Sequence, residues 1–200
     1  QRLTFARAGR TRPLSLEDYA ATGGWRGLAE ARRLGPQATL AAVTESGLRG
    51  RGGAGFPAGI KWQTVADAAG PAKYVVCNAD EGDSGTFADR MVMEGDPFAL
   101  IEGMAIAAQA VGAGKGFIYV RSEYPDAIAK LAAAIPLAAA QIAPFAIELR
   151  VGAGAYICGE ETSLLNSLEG RRGEVRAKPP LPALAGLFGR PTVVNNVLPL

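Results

Sequence analysis

Apolar stretches alternate with polar stretches along the chain in a pattern that predicts strands separated by helices. Short β-branched and aromatic runs indicate three strands, at residues 74–77, 117–120 and 145–151. Periodic apolar positions and helix-start signals indicate helices at residues 37–46, 59–68 and 160–168, and after Asp96 and Tyr124. Strands joined by helices pair in parallel through right-handed crossovers. We therefore predict an α/β fold, with a layered, mostly parallel central sheet and helices on both faces.

The first part of the chain, residues 1–46, shows no strand pattern and is predicted to form a short helical N-terminal segment. Ser15 and Asp18 have the spacing of a capping box at the start of one helix. Residues 47–200 are predicted to form the α/β domain. The sequence lacks an initiator methionine, so we expect it to be a piece of a longer polypeptide.

The most membrane-like run covers residues 131–147, which are rich in alanine. Gln141 and two prolines interrupt this run, whereas a membrane-spanning helix needs about 20 predominantly apolar residues. We predict a core helix that is broken at Pro136, because proline lacks the backbone N–H donor and clashes with the preceding turn.

Composition narrows the chemistry that the chain can perform. The 200 residues are 48% hydrophobic and 20% charged, which is typical of a globular chain. The net charge of +2, without a basic stripe, gives no argument for nucleic-acid binding. The sequence contains no histidine, so the commonest general base and zinc ligand are missing. Cys77 and Cys158 lie in apolar or glycine-rich runs and are expected to be buried thiols in a reducing, cytoplasmic setting.

Residues 50–55 contain four glycines and form the most informative stretch of the chain. A backbone with few Cβ atoms can turn several N–H groups toward one anion, and Arg51 and Lys61 add positive charge beside it. The stretch matches G-x-G-x-x-G, but a helical pattern precedes it where the dinucleotide fingerprint requires a strand. A flexible surface loop is the alternative, against which the nearby Phe56 and Trp62 argue. We predict a phosphate or nucleotide site.

A polar cluster, residues 78–84, follows the first predicted strand and contains three carboxylates. A solvated turn and a site for a hard cation are two explanations for such a cluster. A third is recognition of a flat heterocycle, whose N–H groups would donate to these oxygens while Asn78 both donates and accepts. Ligands of α/β sheets bind beyond the carboxyl ends of the strands, where this cluster is expected to lie.

A second glycine-rich turn, residues 152–162, follows the third predicted strand and leads into a helix. Glu160 and Glu161 stand at the start of that helix, where its dipole favours negative charge, so a structural role is sufficient for Glu160. The functional alternative is that small residues let a planar ring lie against the backbone. The two glycine-rich turns would then hold one ligand from two sides.

Four segments together resemble one protein family. They are GLRGRGGAGFPAGIKW, NADEGDSGTFADRM, GAGAYICGEETSLLNSLEG and KPPLPALAGLFGRPTVVNN, in colinear order between about Leu40 and Val197. The family is the FMN-binding, 51-kDa-type or diaphorase subunit of NADH-linked multisubunit oxidoreductases. Its members serve respiratory complex I, NAD-linked hydrogenases and NAD-dependent formate dehydrogenases. The segment EGDSGTFADRMVMEGDPF is most similar to the β subunit of formate dehydrogenase.

The resemblance implies a Rossmann-like domain that binds FMN, with NADH above the flavin in one open cavity. The FMN-binding residues that it implies are Gly50, Arg51, Gly52, Gly53, Lys61, Asn78, Asp80, Glu81, Tyr156, Gly159, Glu160, Glu161, Asn195 and Asn196. The NAD-binding residues that it implies are Phe56, Asp83, Glu161 and Lys178. Hydride transfer between nicotinamide C4 and flavin N5 needs no side-chain acid or base, so no catalytic side chain and no metal ligand are assigned.

The resemblance also implies a larger electron-transfer assembly. A 4Fe–4S cluster is expected in a C-terminal part outside this sequence, since the two cysteines match none of the family's cluster ligands. The implied partners are NAD(H), a thioredoxin-like 2Fe–2S subunit and a molybdenum-containing catalytic subunit, with neither nucleic acid nor direct membrane insertion. The alternatives are the flavin subunit of complex I or of an NAD-linked hydrogenase, a flavin-free scaffold subunit, and a regulator that binds NAD only.

Three positions depart from the family pattern. Complex I members have phenylalanine where this chain has Thr64 and Leu181. Each lost aromatic contact is worth about 0.5–1.5 kcal/mol beyond area burial, so we expect weaker NAD binding or a changed adenine position. Asp83 stands where the family has glutamate, which shortens its reach toward the nicotinamide ribose by one methylene.

Overall fold

The fold is built around one four-stranded parallel sheet. The computed structural model describes residues 3–200, and the strands in that range are β1 Tyr74–Ala79, β2 Lys115–Val120, β3 Ala146–Val151 and β4 Thr192–Asn196. Their order in the sheet is β3-β2-β1-β4, and every pairing is parallel. The predicted α/β class with a parallel central sheet is therefore confirmed.

Helices pack on both faces of this sheet, as the sequence predicts. The α-helices of the described residues are α1 Leu16–Ala21, α2 Arg26–Leu34, α3 Pro36–Glu45, α4 Ala58–Asp67, α5 Ala88–Gly95, α6 Pro97–Val111, α7 Pro125–Ile142, α8 Glu161–Leu168 and α9 Pro182–Ala185. Alternate residues of a strand point to opposite faces and so belong to different cores. Val75 and Ile118 share one core with α4, α6 and α7, whereas Val76 and Phe117 share the other with α8.

The strand order reverses between β3 and β4, and a crevice is expected at such a reversal. The chain adds β2 and β3 on one side of β1, then passes back and adds β4 on its other side. A crevice opens beyond the carboxyl ends of the strands at such a reversal of strand order. The register pairs Asn78 with Asn196, so polar residues of two strands meet at this edge. The hydrophobic pattern alone does not predict β4, although its first three residues are β-branched.

The N-terminal helices contribute to the core on one face of the sheet. Tyr19 of α1, Leu28 of α2 and Leu40 of α3 are buried together with side chains of α6. Ser15 Oγ accepts a hydrogen bond from the Asp18 N–H at 3.1 Å, which confirms the predicted helix start. The boundary between residues 46 and 47 stays a prediction.

α7 continues through Pro136, so the predicted break in this helix is wrong. Pro136 lies on the exposed face of the helix, as does Ala132 one turn earlier. The Ala132 carbonyl, which loses its helical partner to the proline, therefore lies where water can bond to it. Within residues 3–200, no helix combines the length and the apolarity that crossing a membrane requires.

Candidate functional site

Two adjoining cavities lie at the carboxyl edge of β1 and β4. Cavity 1 has a volume of about 450 Å³ and cavity 2 of about 570 Å³, and both sizes are typical of small-molecule sites. We call the two cavities together the crevice. The residues that line both of them are Gly52, Asn78, Gly159, Glu160 and Asn196.

Every residue that the sequence predicts for FMN or NAD binding lines this crevice. Those in cavity 1 are Gly50, Gly52, Phe56, Lys61, Asn78, Gly159, Glu160, Glu161, Lys178, Asn195 and Asn196. Those in cavity 2 are Arg51, Gly52, Gly53, Asn78, Asp80, Glu81, Asp83, Tyr156, Gly159, Glu160 and Asn196. Two of the three positions that depart from the family pattern, Thr64 and Leu181, also line cavity 1. The fold therefore brings segments that lie between Gly50 and Asn196 in the sequence together at one place.

The glycine loop, residues 50–55, approaches the end of β4 so closely that a side chain at Gly52 would have to displace the Asn196 amide. A Cβ atom at Gly52 would lie 2.7 Å from both amide heteroatoms of Asn196. Arg51 is exposed and lines cavity 2. The loop therefore offers its backbone and one cation to a ligand at the edge of the sheet.

Lys61 and Lys178 bring two positive charges to cavity 1. Lys61 Nζ donates to the Val194 carbonyl at 2.6 Å and lies 4.0 Å from Glu161 Oε2. Lys178 Nζ lies 2.9 Å from Glu161 Oε1 and 3.0 Å from Glu160 Oε1. Burial lowers the pKa of Lys61, and the carboxylate of Glu161 opposes that shift. The two lysines and two glutamates thus form a row of alternating charge along the cavity.

Asn78 connects the end of β1 to the second glycine-rich turn. Its Nδ2 donates to the Gly159 carbonyl at 2.8 Å, and its Oδ1 accepts from the Asp80 N–H at 3.2 Å. In the same turn, Glu160 Oε2 accepts hydrogen bonds from two N–H groups in the first turn of α8, at 2.8 and 3.0 Å. The helix-capping role that the sequence allows for Glu160 is therefore present.

Glu81 is buried and anchors the loop between β1 and α5. Its carboxylate accepts hydrogen bonds from the N–H groups of Asp89 and Arg90, at 3.0 and 3.3 Å, and from the Tyr124 hydroxyl at 3.0 Å. Its carbonyl accepts from the guanidinium of Arg121. Sequence reasoning missed this anchor because Arg121 and Tyr124 follow β2 in the sequence and come close to Glu81 only in the folded chain.

Tyr156 bridges two loops across cavity 2. Its hydroxyl donates to Asp83 Oδ1 at 2.9 Å, and its ring packs on Gly82, where a Cβ atom would lie 2.8 Å from the ring. The Tyr156 side chain is 71% exposed. The contact is therefore made at the surface of the protein, at the wall of cavity 2.

Two carboxyl groups that line cavity 2 titrate closer to neutral pH than ordinary carboxyl groups. Burial raises the pKa of Asp80 to about 6, against the opposing charge of Arg121. Burial, reinforced by the carboxylate of Glu81, raises the pKa of Asp89 to about 7. Both shifts come mainly from the loss of water around the charged form.

The crevice also contains residues that sequence reasoning missed. They are Thr86, Ala88, Asp89, Pro182, Ala183, Thr192, Val194 and Leu198. The β-branched run of β4 was an available signal for two of them, whereas nothing in the sequence distinguishes Asp89 from other helical aspartates. Among the described residues, no group of three or more cysteines and carboxylates is arranged to hold a metal ion.

The sequence that builds this crevice matches a known family. Residues 43–199 match the family model described as the Nuo51 FMN-binding domain. The chain belongs to this family. The match to the Nuo51 FMN-binding domain includes the glycine loop, Lys61, the acidic cluster and the two asparagines that end β4. It confirms the predicted membership of the 51-kDa-type flavin subunits.

Several curated proteins are similar to this chain. An NADH-quinone oxidoreductase subunit of Rhizobium meliloti (strain 1021) is 51% identical over 91% of this chain and 46% of its own length. The NADP-reducing hydrogenase subunit HndC of Solidesulfovibrio fructosivorans is 50% identical over 92% of this chain and 40% of its own length. The chain thus spans less than half the length of these relatives.

A solved structure has the same architecture as this Nuo51-type domain. The crystal structure of an NAD+-reducing [NiFe]-hydrogenase in the air-oxidized state superposes with a TM-score of 0.82 at 44% sequence identity. The superposition covers 95% of this chain and 33% of the hydrogenase chain. The fold and the sequence therefore point to the same family.

The hydrogen bond from Tyr124 to Glu81 can be tested by removing one hydroxyl. Tyr124 is buried and donates to a carboxylate, so Tyr124→Phe should lower the free energy of unfolding by about 1–3 kcal/mol. Urea denaturation measures this loss. Tyr156→Phe makes the same chemical change at an exposed hydroxyl and should cost much less. Equal losses in the two variants would contradict the anchoring role of Glu81.

The raised pKa of Asp89 predicts a pH-dependent effect of Asp89→Asn on stability. The folded state holds the proton of Asp89 more tightly than the unfolded state, so its contribution to stability is lost as pH rises from about 4 through about 7. The asparagine variant should therefore gain about 2–4 kcal/mol relative to the unaltered protein between pH 4 and pH 8. Denaturation at several pH values measures this, with Asp67→Asn on the exposed face of α4 as the control. If the free energies of unfolding of Asp89→Asn and of the unaltered protein changed with pH in the same way, the raised pKa of Asp89 would be contradicted.

Proposed function

We propose that the crevice binds FMN and that NAD(H) binds over the flavin, so that the chain forms the flavin-binding part of an NADH-linked multisubunit oxidoreductase. One observation carries this proposal. Residues implied by the family resemblance, from Gly50 to Asn196 along the chain, all line a single crevice at the switch point of the sheet. Ligands of open α/β sheets bind at this position.

The residues of the crevice suit the chemistry of FMN. Backbone N–H groups of the glycine loop, with Lys61 beside them, suit a phosphate. Asn78 and Asp80 supply donors and acceptors for the polar edge of a flavin ring. Gly52 and Gly159 have no side chain to keep a planar ring away from the backbone. The phosphate of FMN would then lie toward cavity 1, and its flavin ring toward cavity 2.

The bound flavin would supply the hydride-accepting centre, and the chain would supply binding and orientation. The two lysines of cavity 1 are already paired with Glu160 and Glu161, so their side chains are held in place before a ligand arrives. Tyr156 lines cavity 2, and its hydrogen bond to Asp83 would hold its ring at the wall of that cavity. Orientation of the reacting groups is then the main contribution of the protein.

The similar proteins support some assemblies better than others. The named relatives are NADH-quinone oxidoreductase and NADP-reducing hydrogenase subunits, so they support a complex I-type or hydrogenase-type subunit better than formate dehydrogenase. The formate dehydrogenase assignment, with its molybdenum-containing partner, stays a prediction. Electron transfer to iron–sulfur centres, including a 4Fe–4S cluster, is part of the proposal. Cys77 and Cys158 are buried and unpaired, which suits the proposed cytoplasmic location.

The proposed phosphate contact of Lys61 can be tested by substitution. Lys61→Ala should weaken FMN binding by about 2–4 kcal/mol, which is roughly 30- to 1,000-fold, because it removes a partly buried cation from the phosphate. Fluorescence titration of the apo-protein with FMN measures the affinity. The control is Lys115→Ala, which removes a cation from the opposite end of β2. Equal FMN affinities in the two variants would contradict the assignment.

A further inference from the structure

The side chain of Asp89 lines cavity 2 without a partner. It is only 8% exposed, and it makes no hydrogen bond or ion pair with any residue between 3 and 200. Glu81 explains this, because its carboxylate occupies the N–H groups of Asp89 and Arg90 at the start of α5. These two N–H groups are therefore not available to the Asp89 carboxylate.

The charged groups around Asp89 are mostly acidic. Asp80, Glu81 and Asp83 come from the loop before α5, and Glu160 comes from the opposite wall. The remaining titratable groups near it are Cys77 of β1, Tyr124 directly before α7, Tyr156 beside the mouth and Arg51 of the glycine loop. Two further arginines lie nearby and have other partners: Arg90 of α5 pairs with Glu94, and Arg121 pairs with Glu123 and donates to the Glu81 carbonyl. Of the described residues that line cavity 2, Arg51 is the one cation, and it is exposed. No described cation therefore pairs with the Asp89 carboxylate.

We propose that Asp89 is a proton-binding residue of the crevice, which takes up a proton when a flavin fills cavity 2. The proposal rests on the proposed function. Water in cavity 2 would hydrate an ionised Asp89, with which no described cation pairs. A flavin would displace that water and so disfavour the charged form. A protonated carboxyl could also donate its O–H to an acceptor of the ligand.

Asp89 is partly ionised near neutral pH before flavin binds, so uptake of a proton on binding can be measured. Burial already raises the pKa of Asp89 to about 7, so near neutral pH the group exists in both forms. A further rise on binding would convert the ionised fraction to the acid. By linkage, flavin should bind more tightly as pH falls from about 8 toward 7.

Calorimetry of the apo-protein tests the proposal. Riboflavin is titrated at pH 7.5 in buffers that differ in ionisation enthalpy, so the buffer dependence of the binding enthalpy counts the protons taken up. Riboflavin has no phosphate that could titrate, and FMN serves as the second ligand. We expect uptake of a substantial fraction of one proton, which Asp89→Asn abolishes and the exposed control Asp67→Asn retains. Equal uptake by Asp89→Asn and the unaltered protein would overturn the proposal.

Infrared difference spectra of the unaltered protein give an independent result. Binding of riboflavin should produce a protonated carboxyl band, and the absence of that band would overturn the proposal even if Asp89→Asn failed to fold. Failure of the unaltered protein to bind either flavin would overturn the proposed function, and this assignment with it. Flavin binding without proton uptake would overturn the role of Asp89 alone.

Discussion

Parallel pairing of β1 with β4 is the constraint on which the crevice depends. This pairing places Asn78 opposite Asn196 at one edge of the sheet. The glycine loop then reaches the same edge, because Gly52 leaves room for the Asn196 amide. The second glycine-rich turn joins it through the bond from Asn78 to the Gly159 carbonyl. Backbone pairing of β1 with β4 thus provides the edge at which the glycine loop and the second glycine-rich turn meet.

The charges of the crevice are arranged differently in its two cavities. In cavity 1, Lys61 and Lys178 alternate with Glu160 and Glu161, so every charge has an opposite neighbour. In cavity 2, carboxyl groups predominate, and they are accommodated by hydrogen bonds at Glu81 and by raised pKa values. An asymmetric ligand, with a phosphate at one end and a polar ring at the other, matches this arrangement.

Local patterns predicted most of this fold, and the errors came from long-range contacts. β1, β2 and β3 carry apolar runs between helical segments and could be recognised from the sequence. β4 follows a long connection without a clear pattern, and its place beside β1 depends on tertiary pairing. The helix through Pro136 persists because that face is exposed, which no local rule reveals. The residues predicted for the site came from family resemblance, whereas the anchor at Glu81 and the unpartnered Asp89 became evident only in the structure.

A crystal structure of the protein with FMN would show whether the crevice is the flavin site. We expect density for the phosphate beside the glycine loop and Lys61, with the flavin ring against Asn78 and Asp80. Density for FMN elsewhere on the protein, or a crevice left empty at saturating FMN, would contradict it.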